Sequence, residues 1–350
     1  MSLFKKTLIL IPSILILILL VFAIRGCVPM YHGPVSDHFD GTRFFSEEHD
    51  HTLIDMLKWL WGMKTVEWPE WINDPPQPKP IEYVNDGRVK VTYINHATIL
   101  IQMDNFNILT DPIWSERASP VSWTGTKRIR VPGIKMADLP SINLILISHD
   151  HYDHLDIPIL KELAKRDQPQ ILVGLGVKTI LKSEGIALVH EMDWWQDYPI
   201  QSINMKITFV PTRHNSGRSL FGENRTLWGG FVLEGKSGRV YFAGDTGYGK
   251  FLNALKERFS EFNLTIFPIG SYEKRWFMKT QHMNPDDAVK AHILLNSKQS
   301  VGIHYGTFLE HPEQTIDAHE ADLQAALIKY NVLESEFWIL QFGEGRYVQK

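Results

Sequence analysis

A cluster of metal-binding residue types lies in the middle of the chain, in the stretch SHDHYDHLD. Its candidate ligands are three histidines and one aspartate: His149, His151, Asp153 and His154. Imidazole nitrogens and carboxylate oxygens are the ligands that catalytic zinc takes from proteins. The cluster follows Leu144–Ile147 (LILI), which we predict to be a buried strand. Because loops at strand ends present reactive groups, this spacing predicts a metal site on the loop.

The same pattern recurs further along the chain, where a histidine or an aspartate again follows an apolar run. The residues are His214 after Ile207–Val210, Asp245 after Val240–Ala243, and His304 after Val301–Ile303. A single histidine in such a place is more often structural. Its recurrence indicates one site that several loops assemble.

The spacing HxHxDH divides these residues between two metal ions. Alternate side chains of a tight turn converge on one ion, so the first predicted ligand set is His149, His151 and His214. The next two side chains reach a second ion, with the predicted set Asp153, His154 and His304. Asp245 is predicted to bridge both ions, which together would activate water for hydrolysis. Zinc suits this ligand set, although iron or manganese binds the same residue types.

The elements that position these loops are short apolar strands with helices between them. Further predicted strands are Val89–Tyr93, Thr98–Met103, Phe106–Leu109, Ile171–Val173, Leu227–Leu233 and Leu264–Phe267. Predicted helices are Ile54–Lys64, Pro158–Lys165, Val177–Glu184, Phe251–Phe259, Pro285–Leu295 and Thr315–Tyr330. This mixture predicts a layered α/β domain.

The composition is that of a globular protein and excludes several classes. Of the 350 residues 44% are hydrophobic and 22% are charged, so a sizeable core can be buried. The net charge of -4 gives no basic footprint, and no nucleic-acid partner is expected. The one cysteine, Cys27, excludes an internal disulfide and a thiolate-rich zinc site.

An apolar run, Thr7–Ile24, follows two lysines and precedes Arg25 near the start of the chain. Its length predicts a transmembrane anchor, with a cleaved signal peptide or a lipoprotein signal that ends at Cys27 as alternatives. The flanking charges predict a membrane-associated protein whose catalytic domain lies on the non-cytoplasmic side.

We predict three parts: a membrane segment over residues 1–27, an extension packed on the core over 28–80, and a catalytic domain over 81–350. A proline cluster that ends at Pro80 closes the extension. The tryptophan-rich helix within the extension is interpreted either as packed on the main body or as lying at a membrane interface.

Several longer stretches occur around the histidine cluster. They are DHFDGTRFF (37–45), NHAT (95–98), TDPIWSERASP (110–120), MDWWQ (192–196), GDTGY (244–248), YEKRWFMKTQHMNPDDAV (272–289) and HYGTF (304–308). The ligand pattern resembles the metallo-β-lactamase fold, a four-layer αββα sandwich, here preceded by the apolar N-terminal helix. The longer stretches resemble N-acyl-phosphatidylethanolamine-hydrolysing phospholipase D. The resemblance implies a zinc phosphodiesterase that releases an N-acylethanolamine and phosphatidic acid.

Position by position, the resemblance implies the same seven ligands for two zinc ions and adds His282 close to the phosphate. The implied catalytic residues are Asp153, His282 and Asp245. A hydroxide shared by the ions would attack phosphorus, and His282 would stabilise the negative charge; its alternative role is to cap the helix at Pro285. Asp111 is expected to orient a ligand imidazole or to be a turn residue, and His96 has the same two interpretations.

One departure from the family follows His214, where Asn215 and Ser216 replace an aromatic and a small residue. They predict a more polar pocket beside the first metal. Three arginines are interpreted as headgroup contacts or as ordinary surface residues: Arg213, Arg218 and Arg275. The expected partners are a phospholipid substrate, a membrane and a second copy of the chain. Alternative functions are a lactonase or β-lactam hydrolase of the same fold, or a non-catalytic membrane-tethered zinc protein.

Overall fold

The structure is a computed structural model that describes residues 30–46, 53–62, 64, 66–218, 222–309 and 313–349. The predicted helix over Thr7–Ile24 and the lipidation candidate Cys27 lie outside these residues. Within the part of the chain that is described, no helix has the length and apolar character needed to span a bilayer.

Sixteen strands and seven α-helices make up the described fold. The strands are β1 Lys90–Asn95, β2 Thr98–Met103, β3 Phe106–Thr110, β4 Arg117–Ala118, β5 Thr126–Lys127, β6 Leu144–Ile147, β7 Gln170–Gly174, β8 Val189–Met192, β9 Asp197–Ile200, β10 Met205–Val210, β11 Gly230–Gly235, β12 Gly238–Phe242, β13 Phe262–Pro268, β14 Ser297–Ile303, β15 Phe337–Trp338 and β16 Gly345–Tyr347. The helices are α1 Leu53–Trp61, α2 Ile157–Asp167, α3 Val177–Ser183, α4 Phe251–Phe259, α5 Arg275–Met278, α6 Pro285–Leu294 and α7 Ala318–Tyr330. Two short 3-10 helices cover Met136–Asp138 and Gln201–Ile203.

The strands form two seven-stranded sheets and one small hairpin. The first sheet has the order β16-β1-β2-β3-β6-β7-β8, and the second has the order β15-β14-β13-β12-β11-β10-β9. Strands β3, β6, β7 and β8 run parallel to one another, as do β12 to β15. Parallel strands end at the same edge of a sheet, so the loops that follow β12 and β14 leave the second sheet at one edge.

Each sheet is buried on both faces, which explains why its strands are apolar at successive positions. In β6, Leu144 and Leu146 pack in the core between the sheets, whereas Ile145 and Ile147 pack toward α2 and α3. On the second sheet the outer cover includes buried side chains of α4, α6 and α7. The result is a metallo-β-lactamase-type fold with two sheets between helical layers, in agreement with the sequence prediction.

Every helix predicted from the sequence is present in the structure, although some begin or end a few residues away from the predicted positions. The predicted strand Leu227–Leu233 is wrong at its start, because β11 begins at Gly230. The main-chain N–H groups of Leu227 and Gly229 donate instead to Leu175 and Ser148, at 2.8 and 3.0 Å. This segment therefore ties the second sheet to the loop that carries the histidine cluster.

The segment before α1 is fixed to the main body through the stretch DHFDGTRFF. Phe39 and Phe44 are fully buried in the core that lies between the sheets. His38 Nε2 lies 2.8 Å from Asp193 Oδ1, and the His38 ring stacks on Trp194 at 4.6 Å. Two of the stretches that resemble the family, DHFDGTRFF and MDWWQ, thus contact each other.

Candidate metal centre

The first predicted ligand set converges at one point. His149 Nε2 lies 2.8 Å from His151 Nδ1, which lies 3.3 Å from His214 Nε2. His214 Nδ1 is 3.1 Å from the Gln281 carbonyl oxygen, which can only accept, so Nδ1 carries the proton and Nε2 keeps its lone pair. Three imidazole nitrogens thus face a common centre, as a metal with nitrogen ligands requires.

Burial keeps these imidazoles neutral, and a neutral imidazole is the form that binds a metal. Desolvation lowers the pKa of His214 to about 3. Burial also lowers the pKa of His149 well below its usual range, and the neighbouring His154 and His151 add to the effect.

The second predicted set lies beside the first, around the Asp153 carboxylate. Asp153 Oδ2 is 3.1 Å from His154 Nε2 and 3.5 Å from His304 Nε2. His154 and His304 come from different sheets, on the loops after β6 and β14. The chain folds so that the edges of the two sheets complete a single site.

Asp245 lies between the two sets. Its Oδ2 atom is 3.0 Å from His304 Nε2, 3.2 Å from His154 Nε2 and 3.8 Å from His214 Nε2. Its Oδ1 atom is buried and accepts no hydrogen bond from the described residues. This position is the one expected of a carboxylate that bridges two cations.

The electrostatics of the cluster also fit a bound cation. Burial alone would raise the pKa of Asp245, but the imidazoles of His304 and His154 hold it well below its usual range. Burial alone would lower the pKa of His154, yet Asp245 and Asp153 hold it well above. Two buried carboxylates thus require positive charge, which a metal would supply in place of the proton on His154.

Asp111 orients the histidine cluster, which is one of the two roles that the sequence left open. Its Oδ2 accepts from His154 Nδ1 at 2.7 Å and from the Ser148 hydroxyl at 2.6 Å. Because that hydroxyl donates to Asp111, Ser148 Oγ can accept from His149 Nδ1 at 2.9 Å. Asp111 therefore fixes one imidazole of each ligand set, and this raises the basicity of the nitrogens that face the centre.

His96 belongs to the same cluster, although the sequence left its role open. Its Nε2 lies 2.8 Å from Asp153 Oδ2, and its ring centre lies 3.9 Å from that of His304. The backbone of His96 is left-handed, with a φ of 47°, and its carbonyl accepts from the main-chain N–H of His304. In the sequence, the stretch NHAT places His96 in a tight turn after a strand, and this was the available signal that His96 belongs to the site.

His282 also reaches the cluster and does not cap a helix. Its Nδ1 lies 4.0 Å from Asp245 Oδ2, and its ring lies 5.3 Å from the His214 ring. The N-cap of α6 is Asn284, whose side chain accepts from Asp287 N at 2.9 Å. The capping alternative for His282 is therefore wrong.

The structure corrects the predictions for Ser216, Arg218 and Arg275. Ser216 is buried and its hydroxyl donates to the Thr226 carbonyl, so it does not make the pocket polar. Arg218 and Arg275 each donate to main-chain carbonyls, at 2.8 Å to Asp150 and to His282, respectively. Both arginines hold the scaffold, and these contacts give no support to a headgroup role.

Glycines let the chain pass close to the ligands at two points. Gly244, directly before Asp245, has a φ of +61°, and a Cβ there would lie 2.4 Å from Ser148 Cβ. At Gly270 a Cβ would lie 1.6 Å from the His304 carbonyl oxygen. Any side chain at Gly244 would displace Ser148, which holds His149, and any side chain at Gly270 would displace His304.

A family model described as the β-lactamase superfamily domain matches residues 106–305, more than half of the chain. An N-acyl-phosphatidylethanolamine-hydrolysing phospholipase D of Caenorhabditis elegans is 38% identical over 65% of this chain and 66% of its own length. A Saccharomyces cerevisiae protein of that name is 33% identical over 65% of this chain and 50% of its own length. The chain thus spans less than two thirds of either relative.

A solved structure shares the fold at low identity. A possible metal-dependent hydrolase of Veillonella parvula superposes with a TM-score of 0.61 at 19% identity, over 74% of this chain and 99% of its own. The fold, the family match and the candidate His/Asp metal site all indicate the same superfamily. The chain belongs to the β-lactamase superfamily and is a metal-dependent hydrolase of that fold.

Proposed function

We propose that the protein is a zinc-dependent phosphodiesterase of the phospholipase D type. Its substrate would be N-acyl-phosphatidylethanolamine or a related phospholipid, and its products an N-acylethanolamine and phosphatidic acid. The observation that carries the proposal is the position of Asp245 Oδ2 between two ligand sets, because paired cations suit the displacement at a phosphodiester. The names of the nematode and yeast relatives support the choice of lipid.

The described residues divide the work of such a reaction. His149, His151 and His214 would hold one zinc ion, and Asp153, His154 and His304 the other, with Asp245 shared. When bound, two zinc ions lower the pKa of a coordinated water to roughly 7 and stabilise charge on phosphate oxygens. His282 lies beside Asp245 and would donate to a phosphate oxygen as negative charge develops there.

A substrate panel with and without a chelator tests this assignment. The panel comprises bis-p-nitrophenyl phosphate, N-acyl-phosphatidylethanolamine, an acyl lactone and a β-lactam. We expect chelator-sensitive turnover of the two phosphodiesters, restored by zinc. Turnover of only the lactone or only the β-lactam would contradict the proposal and identify the protein as a lactonase or a β-lactam hydrolase. A lack of chelator-sensitive turnover on all four would favour a non-catalytic zinc protein.

We further propose that α1 rests on the lipid surface that supplies the substrate. Ile54, Leu57 and Trp61 recur on one helical face and are 63%, 55% and 93% exposed. On another face Trp59 stacks on Phe277 at 5.1 Å, in the helix that leads to His282. An apolar stripe that contains tryptophan, next to the site, suits a bilayer interface. The upstream run Thr7–Ile24 would bring the helix to the same membrane.

The triple variant Ile54→Ser, Leu57→Ser, Trp61→Ser tests this contact in the full chain. We expect turnover of phospholipid in vesicles to fall about tenfold, while turnover of soluble bis-p-nitrophenyl phosphate stays unchanged. The matched control is Ile328→Ser with Leu333→Ser, two exposed apolar residues at the end of α7 and just beyond it. Equal vesicle turnover in the wild type and the triple variant would disprove the contact.

A further inference from the structure

Two separate loops supply the first ligand set, and they must be held in a fixed relation. His149 and His151 lie on the turn after β6, whereas His214 lies on the loop after β10. Metal ligands need placement within about 0.5 Å, which loops achieve only when other contacts lock them. The contacts between these two loops therefore decide how well the metal site is formed.

Arg218 makes the main contacts between the loops. Its Nη1 donates to the carbonyl oxygens of Asp150 and Leu155, at 2.8 and 2.9 Å. These carbonyls lie on either side of the ligands His151, Asp153 and His154. One guanidinium group therefore fixes both ends of the metal-binding turn.

Side chains of the turn after β6 also bind the loop after β10. The Tyr152 hydroxyl donates to the Arg218 carbonyl at 2.9 Å, and the guanidinium lies 4.0 Å from the centre of the Tyr152 ring. Asp150 Oδ1 accepts from the main-chain N–H of Gly217 at 2.7 Å. The two loops are thus joined by side chains from each of them.

Burying the charged side chain of Arg218 costs free energy, which indicates that the hydrogen bonds it makes there are important for the fold of the two loops. A charged guanidinium is largely removed from water here, and it would lie near bound cations. One terminal nitrogen, Nη1, reaches both carbonyls, and the planar guanidinium fixes the directions of its two N–H bonds. The ammonium of a lysine, on a flexible stem, lacks this pre-organised geometry.

We propose that Arg218 is a positioning residue for the metal centre. By locking the turn of residues 150–155 to the loop that carries His214, it brings the three imidazoles of the first set to one point. The proposal rests on metal binding, not on the identity of the substrate.

The test compares zinc affinity and cobalt spectra of four variants with those of the wild type. Arg218→Met removes both hydrogen bonds, Arg218→Lys keeps a charged donor group without the planar geometry, and Tyr152→Phe removes only the reciprocal bond. Arg239→Met is the matched control, because Arg239 also donates to two main-chain carbonyls, of Phe259 and Glu261, at the opposite end of its sheet. Zinc affinity comes from competition with a chelator, and the visible spectrum of the Co²⁺-loaded protein reports ligand geometry.

We expect Arg218→Met to weaken zinc binding at the three-histidine site 10- to 100-fold and to change the cobalt spectrum. Arg218→Lys should recover part of the affinity, and Arg239→Met should keep both wild-type values. Wild-type affinity and spectrum in Arg218→Met would overturn the proposal. If that variant does not fold, Tyr152→Phe decides, with a several-fold loss expected and unchanged affinity overturning it. Because neither readout uses turnover, failure of the phospholipase assignment in the substrate panel leaves this result unaffected.

Discussion

The candidate site consists of polar atoms that face one another inside the core. Seven side chains, from four loops, bring imidazole nitrogens and carboxylate oxygens within about the distances that a shared cation requires. Asp245 is the residue on which a two-metal site depends, because its Oδ2 lies within 3.8 Å of ligands from both sets, His154, His214 and His304.

Replacing Asp245 with asparagine should convert a two-metal site into a one-metal site. The amide keeps the shape but loses the negative charge that would bridge two cations. We expect zinc content to fall from two ions per chain to one, and turnover to fall at least 100-fold. Asp156→Asn, a buried carboxylate on the same turn, serves as the control and should keep two ions. Two tightly held zinc ions in the Asp245 variant would contradict the bridge.

His282→Ala should separate catalysis from metal binding. The imidazole lies beside Asp245 but outside both predicted ligand sets, so elemental analysis should still find two zinc ions. Loss of one donor to the phosphate should lower kcat about 10- to 1000-fold. Unchanged kcat would remove His282 from the mechanism, and loss of zinc would make it a ligand.

At this scale the sequence predicts which residue types meet but not where every side chain points. The seven predicted ligands follow from the spacing HxHxDH and from residues placed after strands, and the structure brings them together. Ser216 and Arg218 were misinterpreted because both look like polar loop residues. The partner of Ser216, Thr226, lies ten residues further along the same connection, and the partner of Arg218, Asp150, comes from another loop. His96 reaches Asp153 through a left-handed turn, and the stretch NHAT indicates a histidine in a turn but not this contact.

At the scale of elements, the loops are held by the ends of strands and helices. Asp156 is an example: it is the N-cap of α2 and lies directly after the turn that carries the histidine cluster. Its Oδ1 accepts from the Ile159 main-chain N–H at 3.4 Å and from the Ser115 hydroxyl at 2.9 Å. Its Oδ2 accepts from the main-chain N–H groups of Trp114 and Ser115, at 3.2 and 2.9 Å.

Asp156→Ala should therefore destabilise the fold more than the loss of a helix cap alone. Removing the carboxylate leaves buried donors without an acceptor, and we expect the free energy of unfolding to fall by about 2–4 kcal/mol. Denaturant unfolding measures this change. Asp156→Asn keeps one acceptor oxygen and should lose less than half as much. Equal stability of all three proteins would show that these hydrogen bonds contribute nothing.

The sequence predicts the central strands and all long helices because their apolar runs are local signals. It does not predict β16, which pairs with β1 although more than 240 residues lie between them. Nor does it predict β9, where Pro199 interrupts the pattern that marks a strand. Such pairings depend on the assembled sheet and leave little trace in a short window.

At the scale of the whole molecule, the two sheets bury many neutral histidines, and acid should therefore destabilise the fold. His319 is an example outside the metal cluster: it is 4% exposed and stacks on Tyr305 at 4.3 Å. Burial lowers its pKa from 6.5 to about 4. Between these values the unfolded chain binds a proton that the folded chain excludes, so stability falls as the pH drops from 6.5 to 4.

His319→Gln should remove part of this pH dependence. Between pH 7 and pH 5 we expect the variant to lose about 2 kcal/mol less free energy of unfolding than the wild type. Denaturant titrations at the two pH values provide the comparison. An identical loss in both proteins would show that His319 has the same pKa in the folded and unfolded states.

In the proposed reaction, water attacks the phosphorus of a phospholipid at a two-metal site. Hydrolysis of N-acyl-phosphatidylethanolamine in H₂¹⁸O tests it most directly, with mass spectrometry of both products. We predict one ¹⁸O atom in phosphatidic acid and none in the N-acylethanolamine, with turnover abolished by a chelator and restored by zinc. Label in the N-acylethanolamine, release of a fatty acid, or turnover that resists the chelator would contradict the account.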